Sequence, residues 1–416
     1  MKWITVVLLV VAASAPVAAQ GTAEPGKGEK IYPFILRDSP PRLFTVRQLD
    51  EDYLSSYRLF SDLLNSNLKP VLSYAIEGAA ILLFFHDLTH EEAHRAILVG
   101  EDIGAVSHPF DFTERGGYVV GVTDATLQNL RDTKFPTFIR LHTAGFESDY
   151  MLATREATLL SLGGDSYKNL AVEYLLREAS IIGYFSEGLF KYDSLVTEEA
   201  NELERDVVGN DLYGAIRHLV RPTMEYTRYT RYADLTDEEV GYLHRVEYRT
   251  FLNLANANLI GVTNFRISDA VRLHVGLGHS MAPFGDFIDQ NVWLVVKGTV
   301  KISGYLREFE NRDHWFVGGG VGVNDYPVAG RLVVSAAVHV WNQPVDLSFT
   351  ARDGQLGGAI DVTARYKVPL SHSTWLKYLS LDVGAIYKTT GFLPEELALG
   401  EHFGVRVGLS LLTRGN

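Results

Sequence analysis

The chain has 416 residues, enough for two or three domains of about 150 residues each. With 46% hydrophobic and 21% charged residues it has the composition of a folded protein, which excludes a disordered or collagen-like chain and argues against a membrane protein built of many helices. The net charge of −13 argues against nucleic-acid binding, which needs Lys and Arg to neutralise phosphates. Because the chain has no cysteine, any metal site must use histidines and carboxylates.

The N-terminus has the pattern of a cleavable secretory signal. Lys2 is followed by an apolar run from Ile4 to Ala13 and then by small residues up to Ala19. The alternative is a short membrane anchor, although the run is shorter than the roughly 20 residues that a span needs. We therefore predict that residues 1–19 are a signal peptide of an exported protein. Residues 20–44, rich in Gly, Pro and charge, are predicted to form a flexible leader.

Residues 45–260 are predicted to form an all-α domain. Apolar residues recur with the helical period in five segments of 18 residues or more: 49–66, 70–99, 167–190, 197–220 and 236–259. Capping hydroxyls followed by acidic residues, as at Thr197 and Thr236, mark helix starts. The apolar run from Val71 to Phe85 contains Glu77 and is too short for a membrane span, so it is predicted to be a buried core helix.

From residue 261 to residue 416 the hydrophobic period changes from 3.6 to 2. Ile360, Val362 and Ala364, for example, alternate with Asp361 and Thr363, and similar rows predict about 8–10 antiparallel strands. An apolar row opposite a charged or glycine-rich row, in an exported chain without cysteine, is what a transmembrane β-barrel requires. Aromatic residues near strand ends would form its interfacial girdles: Trp293, Trp315, Trp341, Trp375, Tyr305, Tyr366 and Phe392.

This second half resembles small bacterial outer-membrane barrels in its C-terminal strand pattern. It departs from that class at the terminus, where Leu412 is followed by Thr-Arg-Gly-Asn in place of a terminal aromatic residue. The alternative is a water-soluble antiparallel sandwich or barrel with the same apolar face packed inward. The predicted fold class is therefore α+β and multidomain, with an N-terminal all-α domain followed by a C-terminal antiparallel β-barrel.

The run from His90 to His94 reads HEEAH and matches the H-E-x-x-H motif. On a helix, residues i and i+4 share a face, so His90 and His94 can bind one zinc ion while Glu91 acts as general base. The alternative is a pair of exposed histidines on a polar helix. The longer metzincin pattern is excluded because Ile97 and Gly100 occupy the places of its glycine and third histidine.

A zinc site needs a third protein ligand, and the best candidate is Glu147, about 50 residues downstream at a predicted helix start. His90, Glu91, His94 and this later glutamate together resemble the gluzincin-type metallopeptidases. The resemblance implies that Glu147 completes the site. A solvated carboxylate at a helix start is the alternative for Glu147. Other candidate ligands are Asp149, His142, Glu101 and Asp102.

Another polar cluster surrounds the run from Asp206 to Asp211, which interrupts a helical pattern. Its Gly-Asn-Asp break can present side chains to a cleft, where His218 or Tyr213 would stabilise an oxyanion. The alternative is a charged turn between two helices.

Together these features predict an exported zinc-dependent hydrolase, a metallopeptidase, anchored at the bacterial outer membrane by its β-barrel. Its partners would be a peptide or protein substrate and outer-membrane lipid, and not nucleic acid. The alternative function is a non-enzymatic outer-membrane barrel, serving as a pore, adaptor or envelope scaffold, with a helical accessory domain. The alternative location is the periplasm or the medium, as a soluble protein.

Overall fold

The computed structural model describes residues 29–38, 44–111, 116–191, 198–370 and 375–413. The predicted signal peptide, residues 1–19, lies outside these ranges, as does much of the predicted leader. Within the leader, the structure forms strand β1 (Ile31–Asp38), so this part of the prediction is wrong. An isolated strand is hard to recognise from sequence because its pairing partner, at the other end of the chain, supplies its hydrogen bonds.

The N-terminal part of the chain is helical, as predicted. Its α-helices are α1 (Val46–Asn67), α2 (Pro70–Ala80), α3 (His86–Gly100), α4 (Asp124–Thr133), α5 (Phe135–Leu162), α6 (Tyr167–Phe185), α7 (Asp211–Val220) and α8 (Asp237–Thr250). A π-helical turn, Ile81–Phe85, joins α2 to α3. A hairpin of β2 (Val106–His108) and β3 (Tyr118–Val120) follows α3.

Local signals explain where these helices begin. Thr45 caps α1, and Thr236 forms a capping box with Glu239 at the start of α8. The helix predicted over residues 197–220 is an α-helix only from Asp211, because Gly209 adopts a positive φ of 67° and Asn210 then caps α7. The Gly-Asn break therefore places Asp211 at the first position of a helix.

The C-terminal part forms a large antiparallel sheet. Its strands are β4 (Phe265–Arg266), β5 (Val271–Ala282), β6 (Gly285–Val296), β7 (Val300–Glu310), β8 (Trp315–Ala329), β9 (Leu332–Pro344), β10 (Gly354–Pro369), β11 (Leu376–Lys388) and β12 (His402–Thr413). With β1 they make a ten-stranded sheet in the order β1-β12-β11-β10-β9-β8-β7-β6-β5-β4. The first and last strands of the chain pair, with Ile31 opposite Leu412.

The predicted closure into a barrel is wrong for the part of the chain that the structure describes, since β1 and β4 are the two edges of an open sheet. One face of this sheet packs on helix α5. The Tyr150 hydroxyl donates to the Asp289 carboxylate over 2.6 Å, and the Trp293 indole donates to the Thr158 hydroxyl over 2.8 Å. The helical region thus occupies the face that a closed barrel would enclose.

The two faces of the sheet carry opposite kinds of side chain. Arg365, Asp382 and Arg406 lie on the inner face and are less than a tenth exposed. Leu381 and Val383, which alternate with Asp382, are more than half exposed on the outer face. The alternation is therefore present with its apolar row outward, opposite to the water-soluble alternative. Other exposed apolar residues of the outer face are Val338, Val340, Ile360, Phe403 and Val407.

The aromatic residues predicted at the strand ends divide between the two faces. Trp315, Trp375 and Tyr366 are exposed, as girdle residues would be. The remaining four turn inside: Trp293, Trp341 and Phe392 are buried, and Tyr305 bonds to His339. The prediction is wrong for these four because position along a strand does not reveal which face a side chain occupies.

The prediction that Val71–Phe85 is a buried core helix is also wrong. Helix α2, the π turn and α3 form one 31-residue helical stretch, Pro70–Gly100, long and apolar enough to cross a membrane, and only 22% of its most apolar window is buried. Glu77 is fully buried and turns toward α1 and α6. Because the polar side of α2 faces the core, its apolar side faces out.

The loop between β11 and β12 is held by one buried lysine. The Lys388 ammonium donates to three backbone carbonyls of this loop, at 2.8, 2.8 and 3.0 Å. The same loop carries Glu395, whose carboxylate pairs with Arg155 on α5. Lys388 therefore helps to couple the sheet to the helical region.

Replacing this lysine tests the coupling. Lys388→Met removes three charge-assisted hydrogen bonds and leaves buried carbonyls unpaired, so we expect a loss of about 3 kcal/mol in the free energy of unfolding. Lys377→Met is the control: Lys377 pairs with Glu29 near the surface, and its loss should cost less than about 1 kcal/mol. Urea unfolding followed by tryptophan fluorescence measures both, and equal effects would contradict the role given to Lys388.

Candidate metal centre

Helix α3 carries the H-E-x-x-H motif and buries it. His90 is 6% exposed and His94 is 1% exposed, so the alternative of two exposed histidines is wrong. Because the two residues are four apart on one helix, their imidazoles lie side by side, with ring centroids 5.1 Å apart.

A carboxylate from another helix joins the two imidazoles. The Oδ2 atom of Asp211, at the start of α7, lies 2.8 Å from His90 Nε2 and 3.2 Å from His94 Nε2. The ligand atoms of these three residues all lie within 4.8 Å of one another. Two imidazole nitrogens and one carboxylate oxygen are a donor set that zinc accepts, with a fourth position left for water.

The outer nitrogen of each imidazole is also held. His90 Nδ1 donates to Asp149 Oδ2 on α5 over 3.1 Å, and Asp149 Oδ1 accepts a 2.6 Å hydrogen bond from Arg177 on α6. His94 Nδ1 donates to the Leu141 carbonyl over 2.6 Å. Such bonds fix the tautomer and the ring orientation, so both Nε2 atoms point at the same place.

The charges of the cluster balance without a metal. Burial lowers the pKa of His90 and of His94, but hydrogen bonds and charges from Asp211, and for His90 also from Asp149, outweigh it, so each pKa is raised. Burial conversely raises the pKa of Asp211, and its contacts with both histidines overcome this and hold the pKa well below its usual value. A metal ion would have to displace the protons on the two Nε2 atoms.

Glu91 lies beside the cluster, 9% exposed. Burial raises its pKa to about 8, although the neighbouring histidines act in the opposite direction. An ideal Cβ on Gly117 would lie 2.7 Å from Glu91 Cγ, so a glycine is needed there to make room for the glutamate. A divalent cation on the three ligands would lower the pKa of this carboxyl.

The structure does not bring Glu147 to the histidines, so the sequence assignment of the third ligand is corrected to Asp211. Glu147 is buried in an ion pair with Arg140, at 2.6 and 2.9 Å, and also accepts the backbone N–H of Glu395 over 2.6 Å. Glu147 is therefore neither a ligand nor a solvated carboxylate at a helix start: it connects α5 to the loop before β12.

The other candidate ligands also lie outside the three-residue cluster. Asp149 bonds to the far side of His90, and Glu101 pairs with Lys134. His142 is buried with no hydrogen-bond partner at Nδ1 among the described residues, and its ring lies 5.7 Å from that of His218. Asp102 follows the end of α3 with a positive φ of 62°.

The residues proposed to stabilise an oxyanion occupy other surroundings. His218 packs edge-on against Phe138, with centroids 4.8 Å apart, and stacks on Tyr226. Tyr213 is fully buried, and its ring lies 6.0 Å from that of Tyr232. Neither prediction is supported by a contact with the cluster.

Sequence reasoning missed two residues that shape the centre. The Tyr184 ring stacks on His90, with centroids 5.7 Å apart and planes 21° apart, and burial and the charges of Asp211 and Glu187 raise its pKa. An ideal Cβ on Gly145 would lie 2.3 Å from His90 Nε2, so α5 can approach α3 only with a glycine there. No local pattern marks Tyr184, whereas a glycine inside a strongly helical segment was a visible signal. Comparisons with known protein families and with curated proteins find no match to this chain.

The identity of the third ligand can be tested by exchanging two carboxylates for amides. Asp211→Asn replaces an anionic ligand with a weak neutral one, so we expect zinc affinity to fall by about 100-fold or more. Glu147→Gln keeps the ligand set and should bind zinc as the wild type does. Competition with a chelating dye measures both affinities, and circular dichroism checks that the helices are retained. The opposite order of effects would restore Glu147 as the ligand.

The two packed histidines, His142 and His218, predict a pH dependence of stability. Burial lowers their pKa values to about 4 and about 2, whereas both would titrate near 6.5 in the unfolded chain. The unfolded state therefore binds more protons below pH 6.5, and stability falls as the pH drops from 6.5 toward 4. His218→Phe should reduce this slope by up to about 1.4 kcal/mol per pH unit. Urea unfolding at pH 6.5 and 4.5 measures it, and identical slopes would refute the assignment.

Proposed function

We propose that this chain is an exported zinc-dependent hydrolase, a metallopeptidase, held at the bacterial outer membrane by the outer face of its sheet. The observation that carries the proposal is the convergence of His90 Nε2, His94 Nε2 and Asp211 Oδ2 on one point, with Glu91 beside it. Hydrogen bonds to the outer nitrogens of both histidines support a ligand role, since such bonds orient metal-binding imidazoles.

Each residue then has a defined part in hydrolysis. A bound zinc ion would act as a Lewis acid and lower the pKa of water. Glu91 takes a proton from the water that adds to the peptide carbonyl carbon and passes it to the departing amine as the C–N bond breaks. The Tyr184 hydroxyl, influenced by the same carboxylates, is placed to donate a hydrogen bond to the oxygen that becomes negative.

A peptide substrate is favoured over other amides or esters by the hairpin beside α3. Among the described strands, β2 pairs only with β3, so its other edge is free to receive an extended chain. The outer edge of β3 is taken by the segment before α7, because the Val119 carbonyl accepts a 2.8 Å hydrogen bond from the Val207 N–H. Extended peptides commonly bind by adding to such an edge.

The membrane part of the proposal rests on the inverted faces of the sheet. Rows of exposed Leu, Val and Ile on the outer face would be unfavourable in water over so large an area, and lipid removes that cost. The inner face keeps its charges paired, as Arg365 does with Asp382 at 3.1 Å and Arg406 with Asp361 at 2.8 Å.

The alternative is a non-enzymatic envelope scaffold, and one observation favours it. His90, His94 and Asp211 satisfy one another as ion pairs, so they can hold α3 and α7 together without any metal. The polar cavity of about 490 Å³ between α5 and the inner face of the sheet is equally compatible with a scaffold or a pore.

Two neighbouring glutamates separate the two functions. Glu91→Gln removes the general base, so kcat/KM for a quenched fluorescent peptide library should fall by about 10³-fold while one zinc per chain remains bound. Glu92→Gln is the matched control: Glu92 bonds to Arg95, away from the ligands, and its variant should keep activity within a few-fold. Full activity of the Glu91 variant, or a wild type with no zinc-dependent turnover, would favour the scaffold.

A further inference from the structure

The helical stretch that carries the metal ligands has two unlike halves. From His86 to Gly100 it is largely buried and holds the candidate site. From Pro70 to Phe85 it presents an apolar surface, which we call the α2 face. Its large members are between 36% and 81% exposed: Val71, Leu72, Ile76, Leu82, Leu83 and Phe84.

No charge or exposed hydrogen-bonding side chain interrupts the α2 face. Between Lys69 and His86 the chain contains one charged residue, Glu77. Its carboxylate is fully buried and accepts hydrogen bonds from Tyr57, Ser61 and Ser73, at 3.1, 3.1 and 3.3 Å. The backbone is satisfied within the helix, so the exposed side offers only hydrocarbon.

The dimensions and chemistry of this surface favour lipid over a protein partner. Sixteen residues from Pro70 to Phe85 rise about 24 Å, close to the roughly 30 Å of a bilayer's hydrocarbon core. Protein interfaces carry about one hydrogen bond per 100–200 Å², for which the α2 face has no donor or acceptor. Polar residues bound it at both ends, Lys69 on one side and His86 with Asp87 on the other.

We propose that the α2 face is immersed in a lipid bilayer, so that the candidate metal centre lies at the membrane boundary. His90 follows Phe84 by six residues, about 9 Å along the helix. Resting on the proposed function, the substrate class is then a membrane-bound polypeptide whose scissile bond lies close to the lipid headgroups. The immersion itself does not depend on catalysis.

The absence of cysteine allows a direct test with single labelled cysteines. Leu72→Cys, Ile76→Cys and Leu83→Cys report on the α2 face, Val340→Cys and Val383→Cys on the outer face of the sheet, and Lys134→Cys on water. Each variant carries an environment-sensitive fluorophore and is reconstituted in phosphatidylcholine vesicles. We expect brominated acyl chains to quench the α2 labels at least as strongly as the sheet labels, and aqueous iodide to quench only the Lys134 label.

The outcomes separate this inference from the membrane anchoring by the sheet. Iodide quenching at α2 with lipid quenching at Val340 would overturn the immersion and leave the anchoring intact. Lipid quenching at α2 alone would support the immersion and count against anchoring by the sheet. Protection of the α2 labels from both quenchers would show a protein partner or a second copy on this face and would also overturn it.

A second measurement addresses the substrate class. Ile76→Gln/Leu83→Gln should lower cleavage of a vesicle-anchored peptide at least 10-fold while leaving cleavage of the same soluble peptide and the zinc affinity unchanged. Tyr248→Gln, at an exposed position on α8, is the control and should alter neither. Equal loss on both peptides would contradict a membrane-bound substrate. A wild type that cleaves neither peptide would refute the proposed function and leave the quenching result to decide the immersion.

Discussion

The close approach of α3 and α5 at Gly145 is the contact on which the candidate centre depends. Any side chain there would overlap the His90 imidazole, so the glycine is required in spite of its cost of about 1 kcal/mol inside a helix. With the helices this close, Asp149, one turn further along α5, reaches His90 Nδ1. The same helix reaches the sheet through Tyr150 and Thr158. One element thus positions the ligands and joins the two parts of the protein.

A second constraint is that buried charges must be paired. Arg177 is fully buried between Asp149 and Glu173, each 2.6 Å away, and Arg58 pairs with Asp165 at 2.7 Å. Removing one member of such a pair leaves an uncompensated charge in the interior, which costs several kcal/mol. The interior is therefore unusually polar, and much of the apolar surface lies outside. This distribution accounts for both surfaces that we assign to lipid, the outer face of the sheet and the α2 face.

The sequence predicted what depends on local periodicity. The helical first part, the alternating strands and the placement of His90, Glu91 and His94 on one helix all follow from spacing along the chain. The third ligand did not, because Asp211 approaches the histidines only through the packing of α7 on α5. Glu147 was chosen for being a glutamate on a later helix, yet Arg140 lies seven residues earlier on the same face of that helix and neutralises it.

Two further differences have the same origin. Alternation shows that a strand has two unlike faces, but it does not show whether the end strands of the sheet meet, and here the helical region occupies the enclosed side. Apolar length alone likewise does not reveal which side of α2 is buried. The inward turn of Glu77 decides that, and it depends on partners such as Tyr57 on α1.

X-ray absorption spectroscopy of the zinc-loaded protein tests the central claim most directly, because it measures the ligands themselves. The account predicts one zinc per chain in a four-coordinate shell, with two imidazole nitrogens and one carboxylate oxygen at about 2.0–2.2 Å and a water in the fourth position. A shell without two imidazoles, or a protein that binds no zinc, would contradict it.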